Sequence, residues 1–408
     1  MAKEKLFLLL DIDGVLLEAE GYRLACIDTI NDFLAQMGQP GFTVDREITD
    51  RFEASGISCE WDMVPLSMAA FADWYCEITG DELTEAFPPV CHKVIDRDNA
   101  DFRKMLLEKI DVYSQMLDPN ETCINAIYHT LLKTNGKGLY FLWTQPIRDR
   151  FFVDTLDPNS CPFFAGLMNR LLGSEIFHEF YGIEAPFLCD SYLQTKDRLL
   201  ISPKNRKYLM GLAPSSIFPV VMTYRPSKYP EISGNKSALH FVCTPEGECA
   251  LQLLGWSCSS VKMIGAGSLC YIEEKYGLRR EHYVKPHPFH ALASVMMGIC
   301  GDEILALEKA HQLCVLDPEE HEFPAAEWFS KEDTIRIAVF EDSVSGIRSA
   351  GSAVEIFRKW GYNAFAVLCG IRTTESKNKL LQNEGADLFS DFNDALDSVL
   401  KAQNRENN

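Results

Sequence analysis

Two carboxylates one residue apart, Asp11 and Asp13, follow the apolar run Leu6-Phe7-Leu8-Leu9-Leu10 and precede Gly14-Val15-Leu16. In an extended chain alternate side chains share a face, so both acids point the same way. They can share a cation, or one can act as nucleophile and the other as acid. The plain alternative is a solvated Asp-x-Asp-Gly turn at a strand end, so partners elsewhere must decide. Two further apolar runs end in functional groups. Ile217-Phe218-Pro219-Val220-Val221-Met222 leads into Thr223, and Ile335-Arg336-Ile337-Ala338-Val339-Phe340 leads into Glu341-Asp342, with Lys285 between them in the chain. Four carboxylates gathered together require a cation to stay ionised, and hard oxygen ligands favour Mg²⁺. Such a set suits phosphoryl transfer. Asp11 would attack phosphorus to form an aspartyl-phosphate, and Asp13 would protonate the leaving oxygen and then activate water. Thr223 and backbone N–H groups of the first loop would hold the phosphoryl oxygens, Lys285 would neutralise developing charge, and Glu341 and Asp342 would complete the metal site.

These groups need a scaffold that brings strand ends together. Five consecutive apolar residues read as a strand buried on both faces of a parallel sheet. Burying unpaired charge is expensive, so Asp11 and Asp13 belong at its C-terminal end, where α/β sheets keep their ligand crevices. Gly14 permits a tight turn. Beyond it, apolar residues from Tyr22 to Met37 recur at helical spacing and Gly38 closes the segment. Helical patterning continues to about Ile201, with Trp61, Met63, Phe71, Trp74 and Tyr75 as core candidates and helices expected over 110–116 and 124–132. Asp118-Pro119-Asn120 reads as a turn, and 138–143 as a strand or a buried helix start. Residues 17–199 are therefore expected to form an inserted, mainly α-helical domain, with 1–16 and 200–408 forming the catalytic core. From Pro203 onward helix and strand alternate, with strands expected at 217–223, 238–243, 261–264, 335–340 and 364–368. Thr244-Pro245 reads as a helix start, and the Pro-containing acidic stretch 317–333 as a surface loop.

The bulk numbers narrow the class. A 408-residue chain with 47% hydrophobic and 24% charged residues is ordinary for a globular protein of more than one domain. A net charge of −20 argues against a nucleic-acid or anionic-membrane partner, and any anionic substrate needs local cations. The 14 cysteines show no CxxC pair, which is the pattern of reduced core thiols in a cytoplasmic protein. The apolar run after Lys5 is too short for a secretory or membrane segment.

Several residues carry two readings. Thr244 also follows an apolar stretch and precedes a helix, but its place is explained by capping; Thr223, after the longer strand, is preferred. Arg225 is a candidate contact for a substrate phosphate, with a plain surface arginine as the alternative. His287 and His290 have metal-ligand spacing without a second pair, so they read as helix-start histidines. Gly265-Ala266-Gly267 lacks the third glycine of a dinucleotide fingerprint and reads as a strand-to-helix turn. Ser343 reads as a helix cap, and Trp61 and Asp62 as packing residues.

In their order along the chain, Asp11-Ile12-Asp13-Gly14-Val15-Leu16, Thr223, Lys285-Pro286 and Phe340-Glu341-Asp342-Ser343 with Gly346-Ile347 resemble the four motifs of the haloacid dehalogenase (HAD) superfamily, in its phosphatase and β-phosphoglucomutase-like branch. The resemblance covers residues 1–16 and about 200–400. It implies a Rossmann-like core and a cap inserted after the first motif, here far longer than the compact caps of that branch. It also implies a Mg²⁺-dependent hydrolase for a small phosphate monoester, with Gly14 of the first motif near the substrate. Asp13 is the residue that dehalogenases of this type lack, so dehalogenation is not expected. A phosphomutase would share every catalytic residue, whereas a non-catalytic binding protein would not need Asp11, Asp13, Lys285, Glu341 and Asp342 together.

Overall fold

The protein is described from a computed structural model covering residues 3–81, 91–93, 95–118, 121–133, 149, 151–153, 155–212, 216–230, 243–279 and 281–406. It divides into two compact units, one formed by Met1–Ala19 with Asp197–Asn408 and the other by Glu20–Lys196.

The first unit is α/β. Among its described residues the strands are β1 (Glu4–Leu10), β2 (Leu17–Glu18), β3 (Arg198–Leu199), β4 (Ile217–Met222), β5 (Lys262–Ile264), β6 (Thr334–Glu341), β7 (Asn363–Ile371) and β8 (Asp387–Phe389). Six of them form one sheet in the order β5-β4-β1-β6-β7-β8, and every neighbouring pair is parallel. The chain fills one side of β1 with β4 and β5, then crosses to fill the other with β6, β7 and β8. The C-terminal end of β1 is thus a topological switch point, the place where open parallel sheets form a crevice.

The apolar run of β1 is explained by burial on both faces. Phe7 and Leu9 join Phe218, Val220 and Met222 on one side, packed with the helix Phe289–Cys300 and the helix Val344–Lys359. Leu6, Leu8 and Leu10 join Val221, Ala338 and Phe340 on the other, with Ala395 and Leu396 of the C-terminal helix. No residue of β1 from Leu6 to Leu10 is exposed to solvent. Strand, helix and turn therefore alternate as a Rossmann-like arrangement requires.

Details depart from the sequence expectations. Boundaries expected at 16/17 and 199/200 fall instead at 19/20 and 196/197, because Leu17–Glu18 pairs antiparallel with Arg198–Leu199 in a ribbon too short to show periodicity. The acidic stretch 317–333 is not only a surface loop. Phe323, Ala325 and Phe329 enter the core, and buried Asp333 accepts from Lys5 Nζ at 2.5 Å and from Ser330 N–H at 3.1 Å. Thr244 does not cap a helix. The helix Glu246–Leu253 begins after Pro245, and the Thr244 hydroxyl donates to Glu246 at 2.6 Å. The stretches expected as elements at 138–143 and 238–242 lie outside the described residues, as do Pro119 and Asn120 of the expected turn.

The second unit is helical among its described residues, with its longest helices at Glu20–Gln36, Glu60–Thr79 and Asn99–Ser114. Met63, Phe71, Trp74 and Tyr75 are buried, and Phe42 lies against Phe71, Trp74 and Phe102. All fourteen cysteines of the chain are free thiols. No helix among the described residues is long and apolar enough to cross a membrane.

Candidate functional site

The polar centre sits where β1, β4 and β6 end. Asp11 follows β1, and its N–H donates to Phe340 O on β6 at 3.2 Å, fixing it beside Glu341. One carboxylate oxygen each from Asp11, Glu341 and Asp342 lies within 4.8 Å of the others. Lys285 enters this group: its Nζ is 2.5 Å from Glu341 Oε1, 3.3 Å from Asp11 Oδ1 and 2.8 Å from Met222 O. Lysine and carboxylates thus converge from three separate parts of the chain.

Lys285 is held by its loop. Buried Glu273 accepts from the N–H groups of Tyr283 at 2.7 Å and Glu281 at 3.0 Å, and Ser349 Oγ donates to His287 O at 2.8 Å. The loop also lines an open depression with Tyr224, Glu281 and His282. Glu341 is fully buried, and Ser343 Oγ donates to its Oε2 at 2.7 Å while accepting from Gly346 N–H to cap the following helix.

Two glycines make room for these acids. Gly346 leaves the space that Glu341 fills, since a Cβ built there would overlap its carboxylate. Gly14 has φ +73°, and a Cβ on it would lie 2.7 Å from Asp342 Oδ2. Its N–H is taken by Leu17 O at 2.9 Å, so Gly14 supplies shape to the loop where a substrate-binding donor was expected.

Electrostatics follow from burial. Asp11 is pushed well above the usual carboxylate range, first by desolvation and then by Glu341, with Lys285 acting in the opposite sense. Asp342 is also raised, again mainly by desolvation. For Lys285 burial acts to lower the pKa, but Asp11 and Glu341 outweigh it and leave it raised. Lys285 faces Asp11 and Glu341, and the exposed Lys377 reaches Asp342 only at 3.7 Å, so the burial of the three carboxylates is only partly compensated. A small, hard divalent cation fits the set, because all its donors are carboxylate oxygens and their mutual repulsion is what it would relieve.

Asp13 stands apart from the expected metal ligands. Its carboxylate is not one of the three clustered groups but receives the Arg225 guanidinium, with Nε 3.0 Å from each oxygen and Nη2 2.5 Å from Oδ1. The surface position that the sequence offered for Arg225 as one alternative is not what the structure shows. The arginine's side chain is 1% exposed and also contacts Asp197 at 2.9 Å. Asp197 had no signal in the sequence, since it lies in no apolar run and no motif.

Thr223 directly follows Met222, whose carbonyl accepts from Lys285. Its N–H donates to Ile264 O, and its hydroxyl accepts from Arg225 N–H at 3.2 Å. Thr244 is committed to Glu246, so Thr223 is the threonine at the β4 strand end. His290 is a core residue with Nε2 3.0 Å from Ile264 O, its pKa pushed down to about 3 by burial and then by Lys285. His287 accepts from Phe289 N–H at 3.1 Å, and neither histidine joins the carboxylate group.

Comparison with family models and with curated proteins gives no match. Among solved structures the chain is similar to an X-ray structure from the Northeast Structural Genomics Consortium, at 16% identity and a TM-score of 0.57, with 98% of each chain covered. At that identity the likeness concerns the fold alone.

Proposed function

We propose that the protein is a Mg²⁺-dependent phosphate monoester hydrolase of the HAD type, acting through Asp11. The observation that carries this is the meeting of Asp11, Glu341 and Asp342 around buried Lys285 at the switch point of a parallel sheet. The inserted helical unit is read as the cap of such an enzyme.

In the first half-reaction an Asp11 oxygen forms a bond to phosphorus. The bond from phosphorus to the ester oxygen breaks, its electron pair stays on that oxygen, and Asp13 supplies the proton that makes it an alcohol. In the second, Asp13 takes a proton from water, the water oxygen bonds to phosphorus, and the bond to Asp11 breaks to return a carboxylate and free phosphate. Lys285 holds one oxygen of Asp11 and so orients the other. Thr223 offers its hydroxyl hydrogen to a phosphoryl oxygen, because the same oxygen already accepts from Arg225 N–H. Asp13 is suited to meet solvent and leaving group, since its side chain is 42% exposed where Asp11 is 14% exposed. Asp11, Glu341 and Asp342 would hold the Mg²⁺. When bound, the ion would offset negative charge on the phosphoryl oxygens and favour the ionised forms of Asp11 and Asp342.

The test is phosphate release from p-nitrophenyl phosphate with and without Mg²⁺, for the parent and for Asp11→Asn. Mg²⁺-dependent release that is lost in the variant supports the proposal. Equal release by both overturns it.

A further inference from the structure

The Arg225 guanidinium carries two carboxylates of opposite character. Asp13 is 42% exposed, whereas Asp197 is fully buried. An exposed carboxylate on a short side chain is free to change rotamer. A planar guanidinium that meets both of its oxygens removes that freedom, provided the guanidinium is itself fixed. Burial and the 2.9 Å contact to Asp197 supply that fixation. Drawing Arg225 away toward a substrate phosphate would break this buried pair, which is costly in a low-dielectric interior.

The backbone around these residues is tied in the same place. Asp197 is the first residue of the sheet unit after the helical insert, and the next residue, Arg198, pairs with Glu18 across the β2–β3 ribbon at 2.8 Å. Leu17 of that ribbon bridges to Asp13. The ribbon thus holds the Asp13 main chain, while Asp197 and Arg225 hold its carboxylate.

We infer that Asp197 and Arg225 are positioning residues that fix the Asp13 carboxylate for proton transfer to the leaving oxygen. This rests on the phosphatase function proposed above, and it assigns Arg225 to the enzyme's own acid. Neither residue touches the transferred phosphoryl group.

The test compares kcat/KM for p-nitrophenyl phosphate and phenyl phosphate in Mg²⁺. This constant covers steps up to loss of the alcohol, and so excludes hydrolysis of the aspartyl-phosphate. Phenol, with a pKa near the ~10 of tyrosine, needs the proton far more than the acidic nitrophenol does. Positioned general acids contribute on the order of 10²–10⁴-fold, so losing the positioning should remove a large part of that for phenyl phosphate alone. Asp197→Asn should lower kcat/KM for phenyl phosphate about tenfold more than for p-nitrophenyl phosphate. Asp13→Asn should show the same preference, and Asp13→Asn combined with Asp197→Asn should add nothing to it. Proportionate losses on both substrates, or additive effects in the double variant, would overturn the inference. Should Asp197→Asn not fold, Arg225→Lys, which keeps the charge but loses the fork, carries the test under the same criterion. A parent without Mg²⁺-dependent turnover would overturn the phosphatase function, and this inference with it.

Discussion

Replacing Gly346 by alanine sets two effects of opposite sign against each other. Gly346 lies in the first turn of the helix Val344–Lys359, where alanine is favoured over glycine by up to about 1 kcal/mol. Against that stands Glu341. A Cβ at 346 overlaps its carboxylate and comes 2.6 Å from its Cγ, so rotating the tip alone does not clear it. Glu341 is fully buried and held by Lys285 at 2.5 Å and Ser343 at 2.7 Å. Breaking a buried pair by displacing one partner costs about 3–5 kcal/mol. The expected net loss for Gly346→Ala is therefore about 2–4 kcal/mol, together with loss of any Mg²⁺-induced stabilisation. Gly351 is the control in the same helix. A Cβ there meets nothing within 4 Å, and Gly351→Ala should stabilise by up to about 1 kcal/mol. Urea unfolding followed by circular dichroism, with and without Mg²⁺, reads all of this. Equal stability of the two variants, or a retained Mg²⁺ response in Gly346→Ala, would refute the account of Glu341.

Two further predictions concern pH. His290 is held near pKa 3, below its ordinary value of 6.5. The unfolded chain therefore binds the proton first as pH falls, and stability should decline between about 6.5 and 3. His290→Gln should flatten that decline in acid-unfolding curves, and an unchanged slope would refute it. Asp11 shows the opposite sign, its folded pKa being raised by burial and by Glu341. The folded state holds that proton longer, so metal-free protein should lose stability as pH rises from about 4 through the raised value. Mg²⁺ should raise Tm most at the upper end of that window, because it binds the deprotonated acids. A Tm gain independent of pH would contradict this.

What the sequence makes legible here is where strands end. Leu6 to Leu10, the 217–222 run and the 335–340 run have an apolar composition that only sheet burial explains, so Asp11, Thr223 and Glu341 could be placed at one edge. Lys285 needed its order in the chain as well. Asp197 was illegible because its meaning comes from one tertiary contact to Arg225, with no periodicity around it. For the same reason Arg225 looked like a surface cation. Two-residue β2 and β3 are too short to carry alternation, and their pairing moved the unit boundaries. Gly346 reads from sequence as a helix-entry residue, and the Glu341 side chain that fills its space belongs to the tertiary fold. The carboxylate of Asp13 was grouped with the metal ligands from spacing alone, and spacing does not reveal that an arginine claims it.

The most direct test of the central claim is to find where the phosphoryl group goes. Protein mixed with p-nitrophenyl phosphate and Mg²⁺ is quenched, reduced with borohydride and mapped by mass spectrometry, which converts an aspartyl-phosphate to homoserine. Conversion at position 11 alone is the expected result. Phosphate release with conversion at another residue, or with none at 11, would contradict it.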